Sequence, residues 1–198
     1  MIIVLLGGIG SGKTLSAVKE IVDNKQFVLT NFKLKNVKNY HRIKISDIVL
    51  KDDKGKYTVN WAFWEDMRKK HKSYSIYLDE IHNVIHSRRS MSRMNISMSK
   101  WISQIRKVLA DNPQNHLYII SQTKRKIDVD FRDLTQIVID CTAYNIGNNI
   151  IIKQKWYDGM ISYEYGNRSF SKAFQGNKYF KFFDTNEMVT FSDAEDFI

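Results

Sequence analysis

The chain holds one cysteine, Cys141, and one proline, Pro113, among 198 residues. A single cysteine excludes an internal disulfide and any cysteine-based zinc or iron-sulfur centre, and it fits a reducing compartment, so a cytoplasmic location is expected. No apolar run approaches the roughly 18 residues that a membrane-spanning helix needs. The apolar start, Met1 to Leu6, has neither a basic n-region nor a cleavage site, so the expected protein is neither secreted nor integral to a membrane. Internal repeats are absent. Low complexity is confined to a Ser/Met/Arg-biased stretch from Ser87 to Ser99.

Acidic residues are also scarce: 21 Asp and Glu face 31 Lys and Arg, a formal charge of +10. Such an excess favours a polyanionic partner, either nucleic acid or an acidic membrane surface. Hydrophobic residues make up 43% of the chain, enough for one cored domain, or one domain with an appendage.

The first thirty residues read as the opening of a βαβ unit. An apolar strand (Ile2 to Leu6) meets a glycine-rich turn (Gly7 to Gly12), then a helical pattern with Leu15, Val18, Ile21 and Val22 on one face. Phe27 to Thr30 reads as a second strand ending at Asn31, followed by a loop to Tyr40. Between Ile43 and Val59 a weak strand signal flanks the polar turn Asp52 to Gly55, as in a hairpin. Trp61 to Lys72 has helical spacing and closes on basic residues that suit a helix C-terminus. Ser75 to Leu78 is a short apolar strand running into Asp79 and Glu80. One helix carries Trp101, Ile102, Ile105, Val108 and Leu109, and strands follow at Leu117 to Ile120 and Gln136 to Asp140. Beyond Ile150, alternation and aromatics replace helical periodicity, with turns expected at Asp158-Gly159, Gly166-Asn167 and Gly176-Asn177. The expected division is an α/β core over 1–149 and a β-rich extension of the same domain over 150–198.

Residues 7–14, Gly7-Gly8-Ile9-Gly10-Ser11-Gly12-Lys13-Thr14, satisfy the phosphate-binding pattern G-x-x-x-x-G-K-[ST] between a strand and a helix, with Leu15 next on the helix. Glycines let backbone N–H groups curl around a phosphate at the positive end of a helix. Lys13 adds a point charge for the β- and γ-phosphates, and Thr14 a hydroxyl for Mg²⁺. At the end of a later strand, Asp79 suits Mg²⁺ and Glu80 suits a water attacking the γ-phosphate, so the adjacent pair reads as hydrolysis. Gln122, ending the next strand, is either a γ-phosphate sensor or a polar strand end. No Asn-Lys-x-Asp marks guanine.

Arg106 and Arg132 are candidate fingers for a neighbouring subunit's γ-phosphate, against an ordinary surface or ion-pair role. Arg88, Arg89 and Arg93, and the run Lys124, Arg125 and Lys126, are either backbone-tracking contacts to nucleic acid or solvated loop charge. His82 and His86 stand one helical turn apart without the H-E-x-x-H order, and read against a metal site.

Taken together, Gly7 to Thr14, Val28 to Asn31, Leu78-Asp79-Glu80 before an Arg-rich segment, the Arg106-Lys107 helix into Tyr118 to Gln122, and Asp128 to Arg132 resemble the zonular occludens toxin (Zot) domain family, which includes assembly ATPases of filamentous phages. Lys181-Phe182-Phe183-Asp184-Thr185 is similar to the aromatic-Asp-Thr stretch near the end of that domain. The Zot domain is in turn similar to the wider FtsK/HerA group of DNA-pumping ATPases, with its viral genome-packaging motors. The resemblance implies a RecA-like P-loop NTPase core, a mainly parallel sheet flanked by helices with the sensor strand between the P-loop and Asp79 strands, assembling as a ring homo-oligomer. Phage assembly proteins of this family usually continue into a membrane-spanning helix. This chain stops at Ile198, which shifts the expectation towards a soluble packaging or translocation ATPase, unless a virion partner supplies the anchor.

The resulting expectation is an ATP- and Mg²⁺-dependent motor acting on DNA through backbone contacts, with capsid or membrane-anchored virion proteins as further partners. A virion-assembly switch that binds ATP and rarely hydrolyses it is the competing reading. A small-molecule kinase is disfavoured, because Glu80 beside Asp79 favours water as acceptor.

Overall fold

The computed structural model describes residues 1–81, 93–109 and 112–184. Its centre is an eight-stranded sheet in the order β10-β9-β8-β1-β7-β6-β2-β3, formed by β1 (Ile2–Leu6), β2 (Phe27–Thr30), β3 (Tyr40–Arg42), β6 (Tyr74–Asp79), β7 (His116–Ser121), β8 (Ile137–Ile146), β9 (Asn149–Asp158) and β10 (Arg168–Gln175). From β8 across to β3 every pairing is parallel, and β9 and β10 add two antiparallel neighbours. Parallel strands are covered on both faces, which is why β1 and β6 are buried at every residue, β1 as an unbroken apolar run and β6 with Ser75 and Asp79 buried among apolar neighbours.

The two faces sort by residue parity. Ile3 and Leu5 of β1 pack with Tyr77, Tyr118 and Ile120 against α1 (Lys13–Asn24), through Leu15, Val18 and Ile21. Ile2, Val4 and Leu6 point the other way, into a cluster with Trp64 of α3 (Trp61–Lys70), Trp101 of α4 (Arg93–Ser103) and Phe131 of α6 (Val129–Asp133). Trp64 and Trp101 are both fully buried, with ring centroids 5.7 Å apart. The two layers and the strand order match the RecA-like core expected from the sequence. The strand that leads to Gln122, β7, lies between β1 and β6, pairing Val4 with Ile119 on one side and Leu78 with Ile119 on the other.

The expected hairpin is present as β4 (Val49–Lys51) and β5 (Tyr57–Val59). Its turn is tied by the Asp52 carboxylate, which accepts from the backbone N–H groups of Lys54 at 3.0 Å and Lys56 at 2.8 Å. Several local expectations are corrected. The segment before the hairpin forms a short helix, α2 (Ile45–Ile48), because Asp47 caps it by accepting from the Lys44 N–H at 2.9 Å while Ile45 and Ile48 are buried. The single helix expected around Trp101 breaks at Gln104 and resumes as α5 (Ile105–Val108). Asp158-Gly159 opens α7 (Gly159–Glu164), not a tight turn, and Gly176-Asn177 opens a 3-10 segment, Gly176–Phe182. Six residues are too few to show a helical period, and α7 is held by packing, with Tyr163 edge-on to Tyr157 at 5.2 Å. The Gly166-Asn167 turn is present, with Gly166 at φ +71°.

The strand β8 continues past the end of β1 and pairs with β9 along its whole length, from Ile137 opposite Asp158 to Ile146 opposite Asn149. This hairpin stands directly beside the P-loop, and the 3-10 segment after β10 packs on α1. No helix among the described residues is long and apolar enough to cross a membrane.

Candidate functional site

The site forms at the carboxyl ends of β1, β6 and β7, where parallel strands stop and their loops begin. After Leu6 the chain turns at Gly7, whose φ is +146°. A Cβ there would stand 2.4 Å from the Ser11 Oγ and 2.5 Å from the carbonyl oxygen of Cys141, so the neighbouring strand β8 leaves room only for glycine. Gly12, at φ +84°, takes the left-handed conformation immediately before α1, and a Cβ on it would meet Ile152 of β9 at 2.4 Å. The β8–β9 hairpin therefore forms one wall of the loop. By contrast, Gly8 and Gly10 face open space.

Lys13 is buried, and its Nζ donates to the Gly8 carbonyl at 2.8 Å, drawing the ammonium back across the loop. Thr14 Oγ1 donates to Asp79 Oδ2 at 2.7 Å. That bond joins the two motifs across 65 positions of sequence and places a hydroxyl and a carboxylate oxygen side by side, the donor chemistry that suits a hard divalent cation. Ser11 Oγ is buried with no hydrogen-bond partner. An orphaned hydroxyl, a lysine bonded to a loop carbonyl and paired oxygen donors fit a nucleotide phosphate with its cation.

Asp79 is 4% exposed. Burial raises its carboxyl from 3.8 to about 6, outweighing the Thr14 hydrogen bond; the nearby charge of Glu80 acts in the same direction as burial, and that of Lys13 against it. The folded protein thus binds more protons than the unfolded chain between those values. This group's contribution to stability is present at low pH and is lost as pH rises through about 6, a change of about 3 kcal/mol. Relative to Asp79→Asn, which does not titrate, the wild-type protein is expected to lose about that much stability between pH 3 and pH 7 in urea unfolding. A difference that stays flat across this range contradicts the assignment.

Glu80 has a left-handed backbone at φ +48°, and its N–H donates to the Ile120 carbonyl at 3.1 Å. A side-chain-bearing residue in that conformation stores on the order of 1 kcal/mol, and here it ends β6 abruptly and turns Glu80 out of the strand's alternation. Gln122 follows the neighbouring strand β7, and its Oε1 accepts from the Lys126 Nζ at 3.0 Å.

A residue not singled out from the sequence completes the site. Asn31, buried at the end of β2, accepts from the Asp79 N–H at 2.8 Å and donates from Nδ2 to the Asp79 carbonyl at 2.7 Å. The available signal was a polar residue placed directly after the apolar strand Phe27–Thr30.

Lys13, Thr14, Asp79, Glu80 and Gln122 are thus gathered at one end of the sheet, on the P-loop, β6 and β7. Arg106 and Arg132 are not. Arg106 lines a cavity with Met1, Ile2 and Gln136 at the amino ends of β1 and β8, and Arg132 lines another with Thr135, Asp158 and Gly159. Neither cavity is lined by a P-loop residue. The Arg132 Nε is buried without a hydrogen-bond partner. In the basic run after Gln122, Lys124 pairs with Glu164 at 2.7 Å, while Arg125 and Lys126 are exposed. His82, His86, Arg88, Arg89, the side chain of Arg93 and Thr185 lie outside the described residues.

No protein-family model matches the sequence, and no curated protein is similar to it. Solved structures are. The chain is similar to the N-terminal domain of zonular occludens toxin from Neisseria meningitidis, with a TM-score of 0.56 at 18% identity over 92% of this chain and 98% of that one. More distant neighbours are the genome packaging NTPase B204 from Sulfolobus turreted icosahedral virus 2 in complex with ATP-gammaS (TM-score 0.46, 14% identity, 87% and 95% covered) and the flagellar accessory protein FlaH from Methanocaldococcus jannaschii (0.47, 12%, 81% and 79%). At these identities the likeness is one of fold. The fold is that of the Zot N-terminal domain, in agreement with the resemblance drawn from the sequence. The chain has a RecA-like α/β fold, a mainly parallel sheet flanked by helices.

Proposed function

We propose that this protein is a Mg²⁺-dependent ATPase that moves DNA in viral genome packaging or virion assembly, working as a ring of identical subunits. The observation that carries the reading is the Thr14–Asp79 hydrogen bond at 2.7 Å, which joins the phosphate loop to the acidic strand end with Glu80 as the next residue. Lys13 and the loop backbone would hold the phosphates, and Thr14 and Asp79 would hold the magnesium ion, which when bound neutralises phosphate charge. Lys13 leaves the Gly8 carbonyl to meet the phosphate. Glu80 would orient and polarise the attacking water, and Gln122, at the adjacent strand end, would report on the γ-phosphate once released from Lys126.

The charge of +10, with Arg125 and Lys126 exposed beside Gln122, supports DNA as the partner, gripped through its phosphates. Arg106 and Arg132, remote from their own P-loop, suit supply of a positive group to a neighbour's nucleotide across a subunit boundary. The fold likeness to the Zot domain supports the same reading.

Steady-state ATP hydrolysis with and without DNA, at low and at moderate salt, tests the proposal. Turnover is expected to rise with DNA, and the stimulation to fade as salt increases, since each phosphate contact neutralised by Lys or Arg releases counterions. Turnover indifferent to DNA moves the reading to an ATP-dependent assembly switch.

A further inference from the structure

Strand β2 stops pairing with β6 at Thr30, which is opposite Tyr77, so the backbone of Asp79 lies beyond the last β2 partner. Two backbone groups of a buried acidic residue would be left without a ladder on that side. The Asn31 side chain fills the gap, accepting from the Asp79 N–H at 2.8 Å and donating to the Asp79 carbonyl at 2.7 Å. An amide is the side chain that offers a donor and an acceptor in the same plane, and so it reproduces the paired hydrogen bonds of a neighbouring strand at a single residue.

Asn31 is itself held on both sides. Its own N–H donates to the Tyr77 carbonyl at 3.4 Å, and it is 2% exposed. The chain beyond it is anchored by buried Phe32 and Leu34, the latter bridged to Phe183, and by the Lys35 N–H donating to the Phe182 carbonyl at 2.7 Å. A preorganised group on a fixed segment therefore sets the backbone from which the Asp79 carboxylate and the left-handed Glu80 project.

We propose that Asn31 is a positioning residue: it acts through the Asp79 backbone to aim the Asp79 carboxylate at Thr14 and to hold Glu80 in its left-handed turn. The inference rests on the nucleotide-site reading above. It implies that loss of the amide uncouples the cation from the nucleotide without disturbing the phosphate loop, since the side-chain hydrogen bonds of Asn31 go to Asp79.

The test uses the full chain, with mant-AMPPNP as the fluorescent, non-hydrolysable probe, in EDTA and across a MgCl₂ titration. Asn31→Leu keeps the branched four-atom side chain and removes both hydrogen bonds, and Asn31→Asp keeps the acceptor and removes the donor. Affinity in EDTA is expected to stay within about twofold of wild type in both variants, while the gain in affinity on adding Mg²⁺ falls at least tenfold, corresponding to about 1.4 kcal/mol. A parallel turnover assay is expected to show kcat falling by at least tenfold. If Asn31→Leu does not fold, Asn31→Asp alone decides. Variants whose Mg²⁺-dependent gain and kcat both match wild type overturn the inference and leave Asn31 a purely structural residue. A wild-type protein that binds no probe, or gains nothing from Mg²⁺, overturns the site reading instead, so the two failures are separable.

Discussion

Lys13→Ala is expected to lose nucleotide binding, with affinity for ATP down at least about 100-fold, equivalent to about 3 kcal/mol. The physical reason lies in what the ammonium does. It is a buried point charge, donating at 2.8 Å to the neutral Gly8 carbonyl oxygen in a loop of glycines. A phosphate oxygen replaces that carbonyl with a charge-assisted bond in a poorly hydrated place, where such bonds are strong. Truncation to alanine removes the charge and leaves the phosphate facing backbone N–H groups alone. The fold is expected to survive, because the lost contact is one hydrogen bond within a loop, on the order of 1 kcal/mol. Equilibrium binding by calorimetry, with a parallel thermal melt, checks both halves. Retained affinity would remove the loop from the nucleotide site.

Glu80→Gln is expected to leave binding intact and to lower turnover by about 100- to 10,000-fold, the usual range for loss of a general base. Glutamine keeps the volume and the hydrogen-bonding reach of the side chain but accepts no proton from water. Its backbone demand is unchanged, since the left-handed conformation at φ +48° is imposed by the end of β6 and the bond to Ile120. The variant should therefore hold unhydrolysed ATP, measured by quenching the protein after incubation and separating ATP from ADP. Turnover near wild type would deny Glu80 the role of base and favour a different residue for activating water. The contrast with Lys13→Ala separates holding the nucleotide from breaking it.

The local part of the site was legible in the chain because its chemistry is carried by contiguous residues. Gly7 to Thr14 follow an apolar strand and precede a helix, and backbone dihedrals at glycine are a local property. The strand ending in Asp79 and Glu80, and the strand ending near Gln122, were legible through short, mainly apolar runs bounded by polar residues, too short for a helix. The +10 charge and the lone cysteine likewise belong to composition and need no fold.

Short elements were the ones misread. α2 and α7 form because Ile45, Ile48 and Tyr163 find partners distant in sequence, and a four- or six-residue helix has no period of its own to announce it.

The pairings at the centre of the site belong to the tertiary structure. That Thr14 meets Asp79 across 65 residues follows from β7 separating β1 from β6, and no spacing in the chain states which strands become neighbours. Asn31 is the clearest case. In sequence it is a polar residue after a strand; in the structure it supplies the missing hydrogen-bond partner for the backbone of Asp79. The sequence alone determined which chemical groups this protein possesses and the local geometry of its phosphate loop. The sheet order alone decided which groups stand within hydrogen-bond distance, because such contacts depend on long-range strand pairing that the hydrophobic core selects.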